Sequence, residues 1–167
     1  MPATYEPIAT TTLGSPATTI TINSIPATYT DLRIVAFIQF ATTANTALVR
    51  FNSDSGSNYS YTYLYSGGSN LGTSTGGAAS SLQIDHNSGF TTSFWGSWEC
   101  DIFDYTSSNN KTIVDKVCND RNGSGVVSRS ARVWANSAAL SSFSLFRQDG
   151  NNFNTGTSVT IWGILKA

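Results

Sequence analysis

Charged residues are scarce in this chain of 167 residues: nine Lys or Arg and ten Asp or Glu make up 11% of it, whereas roughly 25% is typical of globular proteins. The net charge of −1 provides no basic cluster of the kind that attracts nucleic acid or an anionic membrane. The first residues have neither the basic start nor the apolar run of a signal peptide, and no stretch reaches the roughly 18 apolar residues of a membrane helix. We therefore expect neither nucleic acid nor a membrane as a partner.

Histidine is almost absent. Because His86 is the single histidine, every Ser-His-Asp triad and every His-based zinc site would have to include it. Its setting, Asp85-His86-Asn87, is typical of a turn at a strand end.

Segment 52–58 has oxygen-bearing side chains at alternate positions and so resembles a calcium loop. However, Gly56 stands where a ligand is needed and Tyr63 where a bidentate Glu belongs. We predict an Asn/Asp/Gly turn there and no metal site.

Paired carboxylates are the other catalytic possibility, since glycoside hydrolysis needs two carboxyl groups that face one substrate. Glu99 and Asp101 share one face of a predicted strand, but exposed acids on any sheet show the same spacing. We therefore predict no catalytic residue, no cofactor and no enzymatic activity. The carboxylates considered for such a pair are Glu99, Asp101, Asp104 and Asp115.

The two cysteines, Cys100 and Cys118, each fall within a predicted strand. If residues 108–110 form a three-residue hairpin loop, the two cysteines lie directly opposite each other, and a cross-strand disulfide is geometrically possible. Buried free thiols are the simpler interpretation, which we favour.

Short β-branched and aromatic runs, separated by Gly, Asn, Ser and Asp, recur along the chain, and helical periodicity is nearly absent. The sequence therefore predicts an all-β fold, an antiparallel sandwich or a barrel, in a single domain over residues 1–167. Asn122-Gly123 and Asp149-Gly150 are the strongest hairpin signals, because a type I′ turn needs positive φ at both central positions. The predicted strands are Ile8–Leu13, Thr18–Ile22, Leu32–Ala41, Ala47–Phe51, Tyr59–Tyr65, Ser80–Asp85, Ser93–Tyr105, Lys111–Cys118, Val126–Ala135, Ser141–Phe146 and Ser158–Leu165.

Two of these strands, Leu32–Ala41 and Ser158–Leu165, are apolar on both faces. Such strands favour a cover on each side of the sheet. The outer cover is either another subunit or the N-terminal segment, residues 1–24, which we predict to be an arm or a set of edge strands.

Residues Gly67–Ser81 are close to low complexity, with Gly, Ser, Thr and Ala at almost every position. Such a segment buries too little apolar area to offset its ordering entropy. We predict an exposed, mobile loop, which either becomes ordered on a partner or simply connects the two sheets.

Aromatic residues are placed more distinctively. Four tyrosines alternate between positions 59 and 65, so their rings lie on one face of one strand. Such a row can stack on sugar rings, pack against another subunit or belong to the core; we favour core or subunit packing. The candidate contact residues for a partner or a glycan are Tyr59, Tyr61, Tyr63, Tyr65, Trp95 and Trp162.

Several motifs together resemble a group of short virion proteins of tailed bacteriophages. They are an opening at residues 5–14, Ile25-Pro26-Ala27-Thr28-Tyr29-Thr30-Asp31-Leu32, Arg50-Phe51-Asn52-Ser53-Asp54-Ser55-Gly56-Ser57-Asn58-Tyr59-Ser60, and Gly156-Thr157-Ser158-Val159-Thr160-Ile161-Trp162-Gly163-Ile164-Leu165. Members of that group usually carry Gly where this chain has Ser53.

The resemblance implies a β-sandwich of the jelly-roll type, an architecture common in viral capsid proteins and lectins. It also implies a place at the virion surface, after synthesis in the cytoplasm of the host bacterium. The expected role is a capsid decoration (cement) protein, a homotrimer that binds the major capsid protein and stabilises the shell by bridging its subunits. The alternative is a tail or fibre module that recognises host surface glycans. The resemblance carries no catalytic residue.

Overall fold

The structure, a computed structural model, describes residues 5–67, 70–84 and 89–165. These residues form twelve β-strands, and none of them lies in a helix that could cross a membrane. The strands are β1 Tyr5–Thr12, β2 Thr19–Ile22, β3 Asp31–Ile38, β4 Ala47–Phe51, β5 Tyr59–Gly67, β6 Asn70–Ala79, β7 Leu82–Gln83, β8 Gly96–Phe103, β9 Lys111–Asn119, β10 Val126–Trp134, β11 Phe143–Arg147 and β12 Ser158–Ile164.

Eight of the strands have the connectivity of a jelly roll. They form four antiparallel pairs, β1 with β12, β2 with β11, β3 with β8 and β4 with β7. The pairs alternate between two sheets, with β1-β12-β3-β8 in one and β2-β11-β4-β7 in the other, which is the double-sheet arrangement of jelly rolls. The prediction of an antiparallel β-sandwich of jelly-roll type is confirmed.

The other four strands widen one sheet. The antiparallel pair β5/β6 is inserted in the chain between β4 and β7, and the pair β9/β10 between β8 and β11. Strand β9 pairs with β8 and β5 pairs with β10, so the larger sheet has the order β1-β12-β3-β8-β9-β10-β5-β6. We call β5, β6, β9 and β10 the hairpin half, and the other eight strands the jelly-roll half.

Alternation along each strand defines an inner face, towards the core between the sheets, and an outer face of the larger sheet. On β3 the inner residues Leu32, Ile34, Ala36 and Ile38 are fully buried, whereas Phe37 on the outer face is 53% exposed. Strand β1 pairs edge to edge with β12 rather than lying over that outer face. Within the described residues, the N-terminal segment therefore provides edge strands, β1 and β2, and not a covering arm.

Strand β6 stands where we predicted an exposed loop over residues 67–81, and that prediction was wrong. Its backbone pairs along β5, and two of its glycines make room for tyrosine rings of β5. A Cβ atom at Gly72 or at Gly76 would lie 2.6 Å from a ring atom of Tyr65 or Tyr61, respectively. Aromatic packing across the strand pair thus replaces the apolar side chains that β6 lacks. Its exposure was predicted correctly, since Leu71 is 83% exposed.

The two predicted hairpin turns differ. Asn122 and Gly123 have φ values of 58° and 94° in the connection between β9 and β10, which is the geometry that their pairing predicted. Asp149-Gly150 forms a turn, with the Gly150 N–H donating to the Arg147 carbonyl at 3.2 Å. It is not a hairpin, because β11 lies in the smaller sheet and β12 in the larger one.

The cysteines are free. The β8–β9 connection spans residues 104–110 rather than 108–110, which shifts the register, so Cys100 faces Asp115 and Cys118 faces Ser97. The disulfide is therefore not formed. Cys100 is buried, as we favoured, but Cys118 is exposed.

Candidate functional site

The six aromatic residues singled out in the sequence lie in three separate places. The four tyrosines share the inner face of β5, which lies next to the edge strand β6 in the hairpin half. Trp95 lies in the connection before β8, where its ring contacts the Gly156 position, and is 46% exposed. Trp162 is half-buried on the outer face of β12, between Pro7 and Arg33 on the neighbouring strands. The structure therefore does not unite them in one site.

Three of the tyrosines form a packed row. The rings of Tyr61 and Tyr63 stack with centroids 5.0 Å apart and an interplanar angle of 18°. The Tyr63 and Tyr65 rings meet edge to face at 6.0 Å. Tyr63 is only 6% exposed, so the middle ring of the row offers no broad face for a sugar. This geometry favours packing over ligand stacking at the row.

Tyr59 belongs to the core. Its side chain is 1% exposed, its hydroxyl oxygen accepts a hydrogen bond from the Phe51 N–H at 3.1 Å, and its O–H donates to the Asp54 carbonyl at 3.1 Å. Burial raises the pKa of Tyr59 to about 12. Tyr59 thus joins β5 to the end of β4 and is not accessible to a ligand.

The calcium-like segment 52–58 is a turn organised by one carboxylate, in agreement with the prediction. Asp54 accepts hydrogen bonds from the Gly56 N–H at 2.9 Å, the Asn58 amide at 2.9 Å, the Trp134 indole at 2.8 Å and the Asn136 amide at 3.1 Å. Although burial raises the pKa of Asp54, these donors lower it to about 2. The carboxylate is fully used by protein donors, and the described residues contain no cluster of three or more His, Cys, Asp or Glu that would hold a metal.

The acids considered for catalysis are separated by the sheet. Asp115 faces inward, where Arg132 Nε lies 2.9 Å from its Oδ2, the Trp98 indole donates to the same oxygen at 2.8 Å, and the Ser130 hydroxyl donates to Oδ1. Burial raises the pKa of Asp115, but both oxygens are occupied by protein groups. The Arg132 guanidinium also donates to backbone carbonyls at positions 83 and 84, so this buried pair ties β10 to β7.

The remaining acids lie outside the core. Glu99 and Asp101 share the outer face of β8, as predicted. Glu99 Oε2 lies 2.6 Å from Arg33 and 2.9 Å from Lys116, and these partners lower the pKa of Glu99 against the effect of burial. Asp104 is exposed in the connection after β8. Glu99 and Asp101 line one small cleft with Arg33 and Lys116. Arg33 forms ion pairs with both carboxylates and Lys116 with Glu99, so these acids are already paired with protein cations. His86 lies outside the described residues.

The sequence contains one further pattern that is known from catalytic sites. Gly72-Thr73-Ser74-Thr75-Gly76 has the Gly-x-Ser-x-Gly spacing of a hydrolase nucleophile, whose serine must sit on a sharp strand-to-helix turn. Here the five residues lie inside the extended strand β6, and Ser74 is a hydrogen-bond partner of Tyr63. The Gly-x-Ser-x-Gly spacing is therefore part of a β-strand in this chain, and not of a nucleophile turn.

The outer face of the larger sheet is the surface that sequence reasoning found only in part, on the strands over residues 32–41 and 158–165. Every large apolar side chain that is exposed on a described strand lies on this face, and elsewhere in the described part of the chain only Phe94 and Trp95, in the loop before β8, are exposed. The available signal was apolar residues at the outward positions of β5, β8 and β10. The outer-face set is Tyr5, Phe37, Leu64, Leu71, Phe103, Val114 and Val127.

Cross-strand register arranges these side chains in rows. One row runs across six neighbouring strands through Phe37, Ser97, Cys118, Val127, Ser66 and Leu71. The next row is charged in its middle, with Glu99, Lys116 and Arg129 side by side. Exposed apolar residues and small polar residues thus lie beside a row of charged residues on the outer face of the larger sheet.

No protein-family model matches the chain, and no curated protein matches it. Among solved structures, the chain is similar to the galectin LEC-6 of Caenorhabditis elegans, with a TM-score of 0.37 and 9% identity over 94% of this chain and 96% of the galectin. It is also similar to the carbohydrate-binding module CBM66 from Bacillus subtilis, with a TM-score of 0.32 and 8% identity over 97% of this chain and 94% of that one. The xylan-binding domain CBM22-1 of Paenibacillus barcinonensis Xyn10C gives a TM-score of 0.22 and 9% identity, over 89% of this chain and 65% of that one. With TM-scores below 0.5, these likenesses carry no argument about what the chain binds.

Proposed function

We propose that this chain is a structural protein of a tailed-phage particle, a capsid decoration protein that binds the major capsid protein and bridges its subunits. The resemblance of segments 25–32, 50–60 and 156–165 to short virion proteins supports the proposal. The observation that carries it is the outer face of the larger sheet, which exposes seven large apolar side chains, because extended exposed apolar surface often marks a protein interaction site.

The chemistry of this face suits a protein partner. Protein interfaces combine an apolar centre with polar groups that set the register. Phe37 and Val127 supply apolar contact area, while the neighbouring charged row of Glu99, Lys116 and Arg129 supplies groups that fix orientation. Many copies on one lattice would give avidity that no single contact needs to supply.

Copy number in purified particles tests the role. A decoration protein is expected at a copy number comparable to that of the major capsid protein, measured by quantitative mass spectrometry of both chains in one sample. A copy number that is a small fraction of the capsid protein's would overturn decoration and place the chain on the tail or on a special vertex.

Binding to capsids that lack the protein tests the surface. Phe37→Asp and Phe103→Asp place a charge at exposed outer-face positions and are expected to weaken capsid binding at least tenfold, as for the central residues of known interfaces. The matched control is Phe94→Asp, which changes an exposed phenylalanine that lies off this face. If Phe94→Asp weakens binding as much as Phe37→Asp does, the outer face is not the docking surface.

A second candidate function, glycan recognition on a tail or fibre, is favoured by one observation. Trp95 and Phe94 lie next to each other in the loop before β8 and are 46% and 39% exposed, and an exposed indole face is a common platform for a sugar ring. A carbohydrate-array signal that is lost in Trp95→Ala would support this role. The same array with Tyr61→Ala tests the tyrosine row, and absence of any signal in the unmodified protein would exclude both platforms for the glycans sampled.

A further inference from the structure

The two edges of the larger sheet differ in how well they are protected. An unpaired edge strand exposes backbone N–H and C=O groups that pair readily with another strand, and proteins block such edges with proline, charge or a bulge. Strand β1 has all three devices: Glu6, Pro7, and a register shift between Pro7 and Ala9. Strand β6, at the other edge, has ten residues with neither proline nor a charged side chain. Only the end near Ala78, with φ of 55°, departs from regular pairing.

Apolar side chains accompany the open edge. Leu71 on β6 is 83% exposed, Leu64 on the adjacent β5 is 59% exposed, and Val127 on β10 is 56% exposed. All three lie on the outer face and line one shallow cleft with an almost wholly apolar surface. An added strand would therefore gain backbone hydrogen bonds at β6 and apolar burial beside it.

We infer that β6 pairs antiparallel with β6 of a second copy of this chain, about a two-fold axis through Ser74. The sequence of the strand is self-complementary about that residue. Thr73 then faces Thr75 of the other copy, a favourable cross-strand pair, and Gly72 faces Gly76. Leu71 faces Gly77, which has no side chain to clash with the partner's leucine and has only Ser60 within 4 Å of its own Cβ position.

Pairing of β6 with β6 of a second copy fits this edge better than head-to-tail pairing of β6 with β1 does. Pairing of β6 with β1 of another copy would oppose the open edge to the strand with proline and a bulge, and its repetition would generate a ring or an open filament. Pairing of β6 with itself uses both open edges and closes after two copies. A trimer about a three-fold axis, the state implied by the resemblance, cannot place β6 against its own copy. The mass of the oligomer in solution therefore distinguishes a β6–β6 dimer from a trimer.

Sedimentation equilibrium of the full chain, across a concentration series, tests the pairing. The expected mass is twice the 17.8 kDa of one chain. The double variant Thr73→Lys/Thr75→Lys places like charges directly opposite each other and is expected to raise the dissociation constant of the pair at least tenfold. The control, Thr10→Lys/Thr12→Lys, makes the same changes on β1 and is expected to leave the constant unchanged. A monomer or a trimer at all concentrations, or equal effects of the two double variants, would overturn the inference.

Cross-linking tests the register. In a Cys118→Ser background, an oxidised mixture of Thr73→Cys and Thr75→Cys chains is expected to form a covalent pair in much higher yield than either chain alone, because only the mixture places two cysteines opposite each other. A yield no higher than that of a Thr10→Cys control would overturn pairing about Ser74.

The sedimentation and cross-linking measurements use the protein without capsids, so failure of the pairing is separate from failure of the decoration role. Capture of a capsid strand at β6, with no pairing in solution, would likewise count against a second copy as the occupant.

Discussion

The jelly-roll half and the hairpin half bury different chemistry on the same inner face of one sheet. On β3 in the jelly-roll half, every inner side chain is apolar and fully buried. In the hairpin half the inner face holds the Arg132–Asp115 pair, buried serines and the tyrosine row. The smaller sheet ends at β7, where the Gln83 carbonyl accepts a hydrogen bond from the Arg132 guanidinium. Where the covering sheet stops, specific polar pairing replaces general apolar packing, and the two halves should respond differently to substitution.

The largest effect is expected in the hairpin half. Asp115→Ala leaves the guanidinium of Arg132, which is 3% exposed, without its carboxylate, and is expected to lower the free energy of unfolding by about 3–5 kcal/mol. Urea denaturation measures the loss. Asp115→Leu combined with Arg132→Met removes both charges and should cost much less, and Asp101→Ala, a surface acid, should cost less than about 1 kcal/mol. Equal losses for Asp115→Ala and Asp101→Ala would contradict a special role for the buried pair.

The jelly-roll half should be sensitive to volume instead. A Cβ atom at Gly163 would lie 2.3 Å from Cγ of Tyr29, so Gly163→Ala is expected to lower the free energy of unfolding by about 3 kcal/mol through overpacking. Gly14 has nothing within 4 Å of its Cβ position, and Gly14→Ala is the matched control with almost no expected change. A small loss at Gly163 would show that Tyr29 moves aside easily.

Asp54 links the two halves, because its turn follows β4 and it accepts the indole N–H of Trp134 on β10. Its pKa is depressed from 3.8 to about 2 in the folded protein, so its stabilisation is complete above pH 4 and is lost as the pH falls towards 2. Asp54→Asn is expected to cost about 2 kcal/mol at neutral pH. Urea denaturation of both proteins at several pH values should show this difference shrink below pH 4; a difference that stays constant would mean that the carboxylate charge is not responsible.

The smallest effect is a gain in stability. Ser53 has φ of 55°, in the left-handed region that glycine adopts without steric cost. Ser53→Gly is expected to raise the free energy of unfolding by about 0.5–1 kcal/mol. Ser55→Gly, two residues further along at a position without positive φ, should instead lower it slightly. Thermal denaturation of the two variants side by side measures the contrast, and a loss at Ser53 would show that its backbone is not strained.

Much of the fold was predictable because alternation of apolar residues is local. The strand Ala47–Phe51 was predicted with its observed ends, and most others agree within a few residues. The pairing of strands depends on contacts far apart in sequence, so only the resemblance indicated the jelly roll. Strand β6 was missed because its stability depends on tyrosines of β5 that lie over its glycines, a contact that composition does not reveal.

The candidate site was less predictable for a related reason. Glu99 and Asp115 look alike as strand acids, but register places one on the outer face and the other in a buried ion pair. A similar ambiguity applies to the apolar residues, since Phe37 and Ile38 differ only by one position and yet are 53% and 0% exposed. The face that a residue occupies is fixed by pairing, and a one-residue change of register reverses it.

The pairing of β1 with β12 has a consequence for engineering. Tyr5 and Ile164 are cross-strand neighbours, so a short linker would join the two ends of the described fold without crossing the sandwich. A circularly permuted gene that opens at Asn122-Gly123 would keep every strand pairing while moving both ends to the turn between β9 and β10. Cargo fused to the natural order and cargo fused to the permuted order would then be displayed from different sides of the same scaffold.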